Sequence, residues 1–193
     1  MRLFFAVPIA DDVRKRIYAA ARGSWPSDPP WRWIPWDNYH LTMKFLGEVD
    51  LPAVEPLCLA AREVARRVEP FRIRFGRFGA LPDPARPRVL YYEAEEGAPE
   101  LSRLSELVSR AVEPLGFPVE KRPFLAHLTL ARVKIPPGPR DRERLRLVPP
   151  LPGDTVSPVD RFELVKSTLE RSGAVYDTIE RFPLAGPGPG GRS

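Results

Sequence analysis

Histidine occurs only twice in this chain of 193 residues, and both copies open the same phrase. One is His40-Leu41-Thr42 within YHLTMKFLG; the other is His127-Leu128-Thr129 within AHLTLAR. On a β-strand, alternate side chains point to opposite faces, so each phrase aims an imidazole and a hydroxyl to one side. Two facing imidazoles suit paired proton transfer, one taking a proton from an attacking hydroxyl or water and the other returning one to a leaving oxygen. Cleavage of a phosphate ester needs such a pair on opposite sides of phosphorus. Thr42 and Thr129 would donate to the non-bridging oxygens, stabilising the growing negative charge.

Neighbouring residues extend this candidate site. Alternation places Lys44 on the same face as His40 and Thr42, with Tyr39, Leu41, Met43 and Phe45 packed on the other. Arg132 suits charge-assisted bonds to phosphate, but strict alternation puts it with the core-facing set, so its reach requires a bend near the strand end. Trp33 and Trp36 precede the first motif and Phe124 the second; each is a candidate to stack on a base at the cleft mouth or to plug a loop into the core. No metal site is expected. The two histidines lack further ligands at suitable spacing, and a remote acid such as Asp37 is a weak third. Nor is there a glycine-rich loop before a lysine for ATP or GTP.

Positioning these residues takes strands and helices in a repeated order. Residues 2–7 read as a strand and 11–22 as a helix opened by Asp11 and Asp12. Residues 25–36, rich in Pro and Trp, read as an irregular or partly extended loop, and 39–46 as the first motif strand. A helix over 52–68 and an alternating strand around Phe71, Ile73 and Phe75 follow. The order then restarts with a strand at 89–92, a helix at about 99–113 and the second motif strand at 124–133. Phe5 and Tyr91 hold matching places ahead of the two histidines. Residues 136–152, with Arg140, Arg142, Arg144 and Arg146, read as a charged loop or extended segment. Strands at 160–167 and 175–182 form a hairpin around Gly173.

These repeats predict an α+β fold: a bilobal, pseudo-twofold duplication with two antiparallel sheets flanking a central cleft and helices outside. Residues 1–185 are expected to form one bilobal catalytic domain, with duplicated segments 1–86 and 87–185, followed by a disordered Gly/Pro tail at 186–193. The balance of 30 basic against 25 acidic residues, net +5, favours an anionic partner without selecting nucleic acid over a nucleotide. The single cysteine, Cys58, sits in an apolar helical stretch and is expected to be an inert buried thiol. The N-terminal apolar run is too short for a signal peptide, no membrane span is seen, and a cytoplasmic monomer is expected.

The sequence resembles the two-histidine phosphoesterase superfamily, and within it the bacterial and archaeal RNA 2′,3′-cyclic phosphodiesterases, also known as 2′-5′ RNA ligases. The resemblance is carried by MRLFFAVPI, HLTMKFLGEV, PRVLYYEA, FLAHLTLAR and FELVKSTLERSGAVYDTIERFPL. It implies metal-independent, cofactor-free opening of a 2′,3′-cyclic phosphate at an RNA end to a 2′-phosphomonoester. His127 would be the water-activating base and His40 the acid for the 3′ oxygen. It matches His40 and Thr42 to the first catalytic motif, His127 and Thr129 to the second, and Arg132 to an arginine that commonly follows. Ala126 stands where relatives often have proline. Partners implied are RNA ends or nucleotides bearing a 2′,3′-cyclic phosphate, tRNA halves among them. The alternatives are a 2′-5′ RNA ligase using a 5′-hydroxyl RNA, a small-nucleotide cyclic phosphodiesterase and a non-catalytic RNA-binding protein.

Overall fold

The computed structural model describes residues 1–25, 29, 31–171 and 173–186; the tail from 187 onward lies outside the described residues. Among the described residues, four α-helices and nine β-strands carry the fold. They are β1 (Arg2–Pro8), α1 (Asp11–Gly23), β2 (Trp31–Trp33), β3 (His40–Glu48), α2 (Val54–Ala65), β4 (Phe71–Leu81) and β5 (Val89–Glu96), then α3 (Ala98–Val112), β6 (His127–Val133), α4 (Pro139–Leu147), β7 (Val156–Val159), β8 (Arg161–Leu169) and β9 (Ala174–Pro183). Two antiparallel sheets result. One has the order β3-β1-β8-β9 and the other β2-β6-β5-β4-β7.

The sheet orders show that the sequence halves are not the lobes. The motif strands β3 and β6 each lie beside the opening strand of their own half, β1 and β5. The last strands of the halves change sides: β4 joins β5 in the second sheet, while β8 and β9 join β1 in the first. A main core of Leu3, Phe5, Leu41, Phe75, Leu128 and Phe162, among others, is shared by both sheets and by α1, α2 and α3. Neither sheet could bury its apolar face using its own half of the chain alone.

Both motif strands carry a β-bulge at the same place. Ala6 pairs with Thr42 and Phe5 with Lys44, leaving Met43 as the extra residue. Tyr91 pairs with Thr129 and Leu90 with Ala131, leaving Leu130. An extra residue reverses the alternation beyond it. It also leaves a carbonyl outside the ladder, and each finds a donor. The buried Ser105 hydroxyl of α3 donates to Met43 O at 2.9 Å, and Ile34 N–H donates to Leu130 O at 2.8 Å. Gly97 delivers α3 to that position. Its φ is +76°, and a Cβ there would lie 2.0 Å from Arg72 O, so the turn from β5 into α3 accepts only glycine.

Several details differ from the sequence reading. The register sets Ala6, not Phe5, in the place corresponding to Tyr91; Phe5 is buried in the main core. The segment after β6 forms α4 rather than an extended run. Pro139 suits its first turn, with Asp141 near its start and Arg144 and Arg146 near its end, matching the helix dipole. Leu145 anchors it in a second core cluster with Trp25, Trp31, Leu90 and Ala131. Helical spacing spreads its arginines around the axis, so they do not line one side. Strands β2 and β7 lie in stretches that show too few residues for periodicity to detect.

Candidate active site

The two His-Leu-Thr phrases lie on β3 and β6, which approach each other at the seam between the sheets. His40, Thr42, His127 and Thr129 are all half-buried, while Leu41 and Leu128 beside them are in the core. The imidazoles are held alike. His40 Nδ1 lies 2.8 Å from Asn38 O, and His127 Nδ1 lies 2.8 Å from Leu125 O, in each case the carbonyl two residues earlier. A carbonyl can only accept, so Nδ1 carries a proton in both rings and Nε2 is left for chemistry. On the first strand the Thr42 hydroxyl donates to His40 Nε2 at 3.0 Å. Among the described residues Thr129 makes no matching bond to His127.

Surroundings distinguish the two rings. His40 is packed against Phe4, with ring centroids 4.9 Å apart, and meets Tyr176 edge-on at 5.1 Å. Tyr91 lies edge-on to His127 at 5.4 Å. A Cβ on Gly79 would fall 2.3 Å from the Tyr91 ring, so the glycine lets that ring lie across β4. Burial lowers the His40 pKa to about 4. The bond to Asn38 O opposes the shift, Arg132 adds to it, Glu163 opposes it and His127 adds to it. His40 is therefore neutral in the substrate-free protein. The influence of Arg132 and His127 on it spans the seam.

The bulges decide which neighbours join the histidines. Beyond Leu130, Ala131 turns into the core and the exposed Arg132 turns to the face of His127 and Thr129, supplying the bend that its reach requires. Beyond Met43 the same reversal buries Lys44. Its ammonium donates to Pro118 O at 2.6 Å, with Glu120 at 3.9 Å, so Lys44 leaves the histidine face and Phe45 takes its place. This corrects the placement expected from plain alternation. Trp33 pairs with Ala131, which puts it on the helix-covered face of the sheet, with Arg22 over its ring. Trp36 packs against the core beneath Arg14 and Lys15 of α1. Phe124 packs against the same core from the segment before β6. None of these three aromatics joins the rings around the histidines.

The residues that do surround His40 come from distant parts of the chain. Phe4 lies on β1 and Tyr176 on β9, and Asn38 Nδ2 donates to Ala174 O at 2.9 Å, tying the first motif to the β8–β9 turn. Phe4 alternates against the core residues Leu3 and Phe5, a pattern visible in the sequence; no local pattern marks Tyr176. Among the described residues no group of three or more His, Cys, Asp or Glu side chains is set to hold a metal ion. A groove lined by Phe78, Ala80, Leu145 and Val148 lies between β4 and α4. Its lining also includes Arg77, Glu95 and Arg146, a single carboxylate among guanidiniums rather than two groups that trade protons near neutrality.

Comparison with known proteins gives matches along most of the chain. A family model described as LigT like Phosphoesterase matches residues 7–91 and again residues 93–176. A Thermus thermophilus protein named RNA 2′,3′-cyclic phosphodiesterase is 35% identical over 192 residues, covering 96% of this chain and 91% of the relative. A Geobacillus stearothermophilus protein of the same name is 34% identical over 191 residues, 98% of this chain; the chain spans only 59% of that relative's length. Among solved structures, one from Thermus thermophilus has a TM-score of 0.82 at 35% identity, covering 96% of this chain and 99% of the other. Escherichia coli LigT complexed with 3′-AMP has a TM-score of 0.77 at 26% identity, covering 95% and 97%.

Proposed function

The chain belongs to the LigT-like phosphoesterases, and from that membership and the paired histidines we propose that it opens 2′,3′-cyclic phosphates at RNA ends without a metal. The observation that carries the reading is the repeated geometry: two imidazoles at one seam, each with Nδ1 anchored to a backbone carbonyl and Nε2 left for proton exchange.

In the hydrolytic direction His127 Nε2 takes a proton from water as the water oxygen bonds to phosphorus. The bond from phosphorus to the 3′ oxygen breaks, and His40 Nε2 gives that oxygen a proton, leaving a 2′-phosphomonoester and a 3′-hydroxyl. Asn38 O and Leu125 O steady the imidazolium forms by accepting from Nδ1. Once His40 Nε2 carries a proton, the Thr42 hydroxyl no longer donates to it and, with Thr129 and Arg132, donates to the non-bridging oxygens. His40 starts neutral, so its proton must be acquired as the anionic phosphate binds. With a 5′-hydroxyl RNA in place of water, the same two groups in the same roles would join the cyclic phosphate end to it through a 2′-5′ bond, His127 taking the proton of the 5′-hydroxyl and His40 protonating the departing 3′ oxygen.

Both histidines come from one chain and one shared core, which supports reading residues 1–185 as one catalytic unit acting as a monomer. tRNA halves are one class of RNA end with suitable chemistry. Cys58 is buried and unpaired, as suits the reducing cytoplasm. No helix among the described residues is long and apolar enough to cross a membrane. The test is to incubate the protein in chelator with an oligonucleotide ending in a 2′,3′-cyclic phosphate, with and without a 5′-hydroxyl RNA. The expected product in water alone is the 2′-phosphomonoester. A 3′-phosphomonoester, or turnover that returns only with added metal, rejects the reading.

A further inference from the structure

Both imidazoles hang from a backbone carbonyl two residues earlier, but only one of those carbonyls belongs to a residue that is itself gripped by its side chain. Asn38 O accepts from His40 Nδ1, and the Asn38 amide donates to Ala174 O at 2.9 Å. Leu125, in the same place before His127, has an apolar side chain that can make no such bond. The first anchor is fixed from other directions too. Asn38 ends a short 3-10 turn, its N–H donating to Pro35 O at 3.0 Å and Tyr39 N–H donating to Trp36 O at 3.1 Å. Arg14 of α1 donates to Asp37 O at 2.6 Å.

Ala174 lies 136 positions after Asn38. It opens β9 just past Gly173, whose φ of +144° is a conformation that glycine adopts at no steric cost. Tyr176, two residues further on, meets His40 edge-on at 5.1 Å. The β8–β9 turn therefore holds the first imidazole twice, once through the carbonyl behind Nδ1 and once on the ring itself. Within its rotamer an imidazole still turns about Cβ–Cγ, and a bond at Nδ1 settles where Nε2 points on the far side of the ring. If Asn38 swings, Nε2 leaves the line to the departing oxygen. A misplacement of about 1 Å at a reacting group can cost about 100-fold in rate.

We propose that Asn38 is a positioning residue for the general acid: the β8–β9 turn, by accepting from its side-chain amide, sets the direction of His40 Nε2. The last hairpin of the chain thereby aligns a ring near the start of it, while His127 has no equivalent side-chain grip on its anchor. This inference rests on the reading of His40 as the acid of a cyclic phosphodiesterase.

The test uses Asn38→Leu, which removes the donor at similar volume, and Gly173→Ala, which moves the acceptor instead. On an oligonucleotide ending in a 2′,3′-cyclic phosphate, Asn38→Leu should lower kcat at least about tenfold while KM stays within about twofold. The second readout needs no turnover. The chain has only two histidines, so each ring is the other's control. Exchange of the Nδ1 proton with water, followed by nitrogen-resolved NMR of the substrate-free protein, should quicken at least about fivefold in His40, the worth of one neutral hydrogen bond, and stay unchanged in His127. Full kcat in Asn38→Leu overturns the inference. So does equal quickening in both rings, which marks a loosened fold rather than a misplaced acid. If Asn38→Leu does not fold, Gly173→Ala decides by the same two readouts. If the unaltered protein opens no cyclic phosphate, the phosphodiesterase reading itself falls, and the comparison of the two rings still decides whether Asn38 positions His40.

Discussion

Substrate binding should load a proton onto His40. In the substrate-free site the His40 pKa is lowered to about 4, mainly by burial and further by Arg132 and His127. An acid that protonates the 3′ oxygen near pH 7 needs a pKa near 7, a rise of about 3 units or roughly 4 kcal/mol. A phosphate anion about 4 Å from the imidazolium contributes about 4 kcal/mol at an effective dielectric constant near 20, enough to close the gap. At pH 6 the free ring would be about 1% protonated and the bound ring about 90%, so close to one proton enters on binding. The assay is titration calorimetry of a 2′,3′-cyclic nucleotide in two buffers of different ionisation enthalpy, with a His127→Asn protein that blocks turnover and removes the second imidazole. The diester itself does not titrate in this range. Uptake of about 0.9 proton at pH 6, falling to about 0.1 at pH 8, is expected. Binding without proton uptake at pH 6 refutes the reasoning.

The same shift links stability to pH. His40 in the unfolded chain takes up a proton below about pH 6.5, while the folded ring resists until about pH 4, so stability is lost as pH falls through that window. With the ring half-solvated, about 2 kcal/mol is expected, or roughly 4–8 °C in Tm; a His40→Asn protein should lose less between pH 7 and pH 4.5, and equal losses contradict the assignment. Ser105→Ala removes the donor to Met43 O and should cost about 1–3 kcal/mol in denaturant unfolding, whereas an unchanged midpoint would show that the bulge needs no such partner. Lys44→Met should lower stability through loss of the Pro118 bond but leave KM within about twofold; a tenfold rise in KM would return Lys44 to the phosphate site.

The pairing of His40 with His127 was legible because repetition at the head of two strands is a local pattern. So were α1 and α3, whose apolar residues recur at helical spacing, and the β8–β9 hairpin at Gly173. The bulges at Met43 and Leu130 were not. A period of two carries no mark of an extra residue, and each bulge is supported by a donor far away in sequence, Ser105 or Ile34. That is why plain alternation brought Lys44 to the site and kept Arg132 away. The contact of Tyr176 with His40 was hidden for a related reason: Tyr176 meets the ring only because β8 and β9 cross to the sheet of β1, where Phe4 already lies on the strand beside β3. Trp33 and Trp36, conspicuous by type, are committed to α1 and the core.

The central claim is that the two imidazoles serve one chemical event. Its most direct test is the turnover of His40→Ala, His127→Ala and the double substitution on one cyclic-phosphate oligonucleotide, with folding checked for each. Each single change should reduce kcat by at least about 100-fold. Groups acting as a unit are strongly non-additive, so the double substitution should fall little below the weaker single one. Losses that multiply, or a single variant that turns over at nearly the original rate, would contradict a shared step.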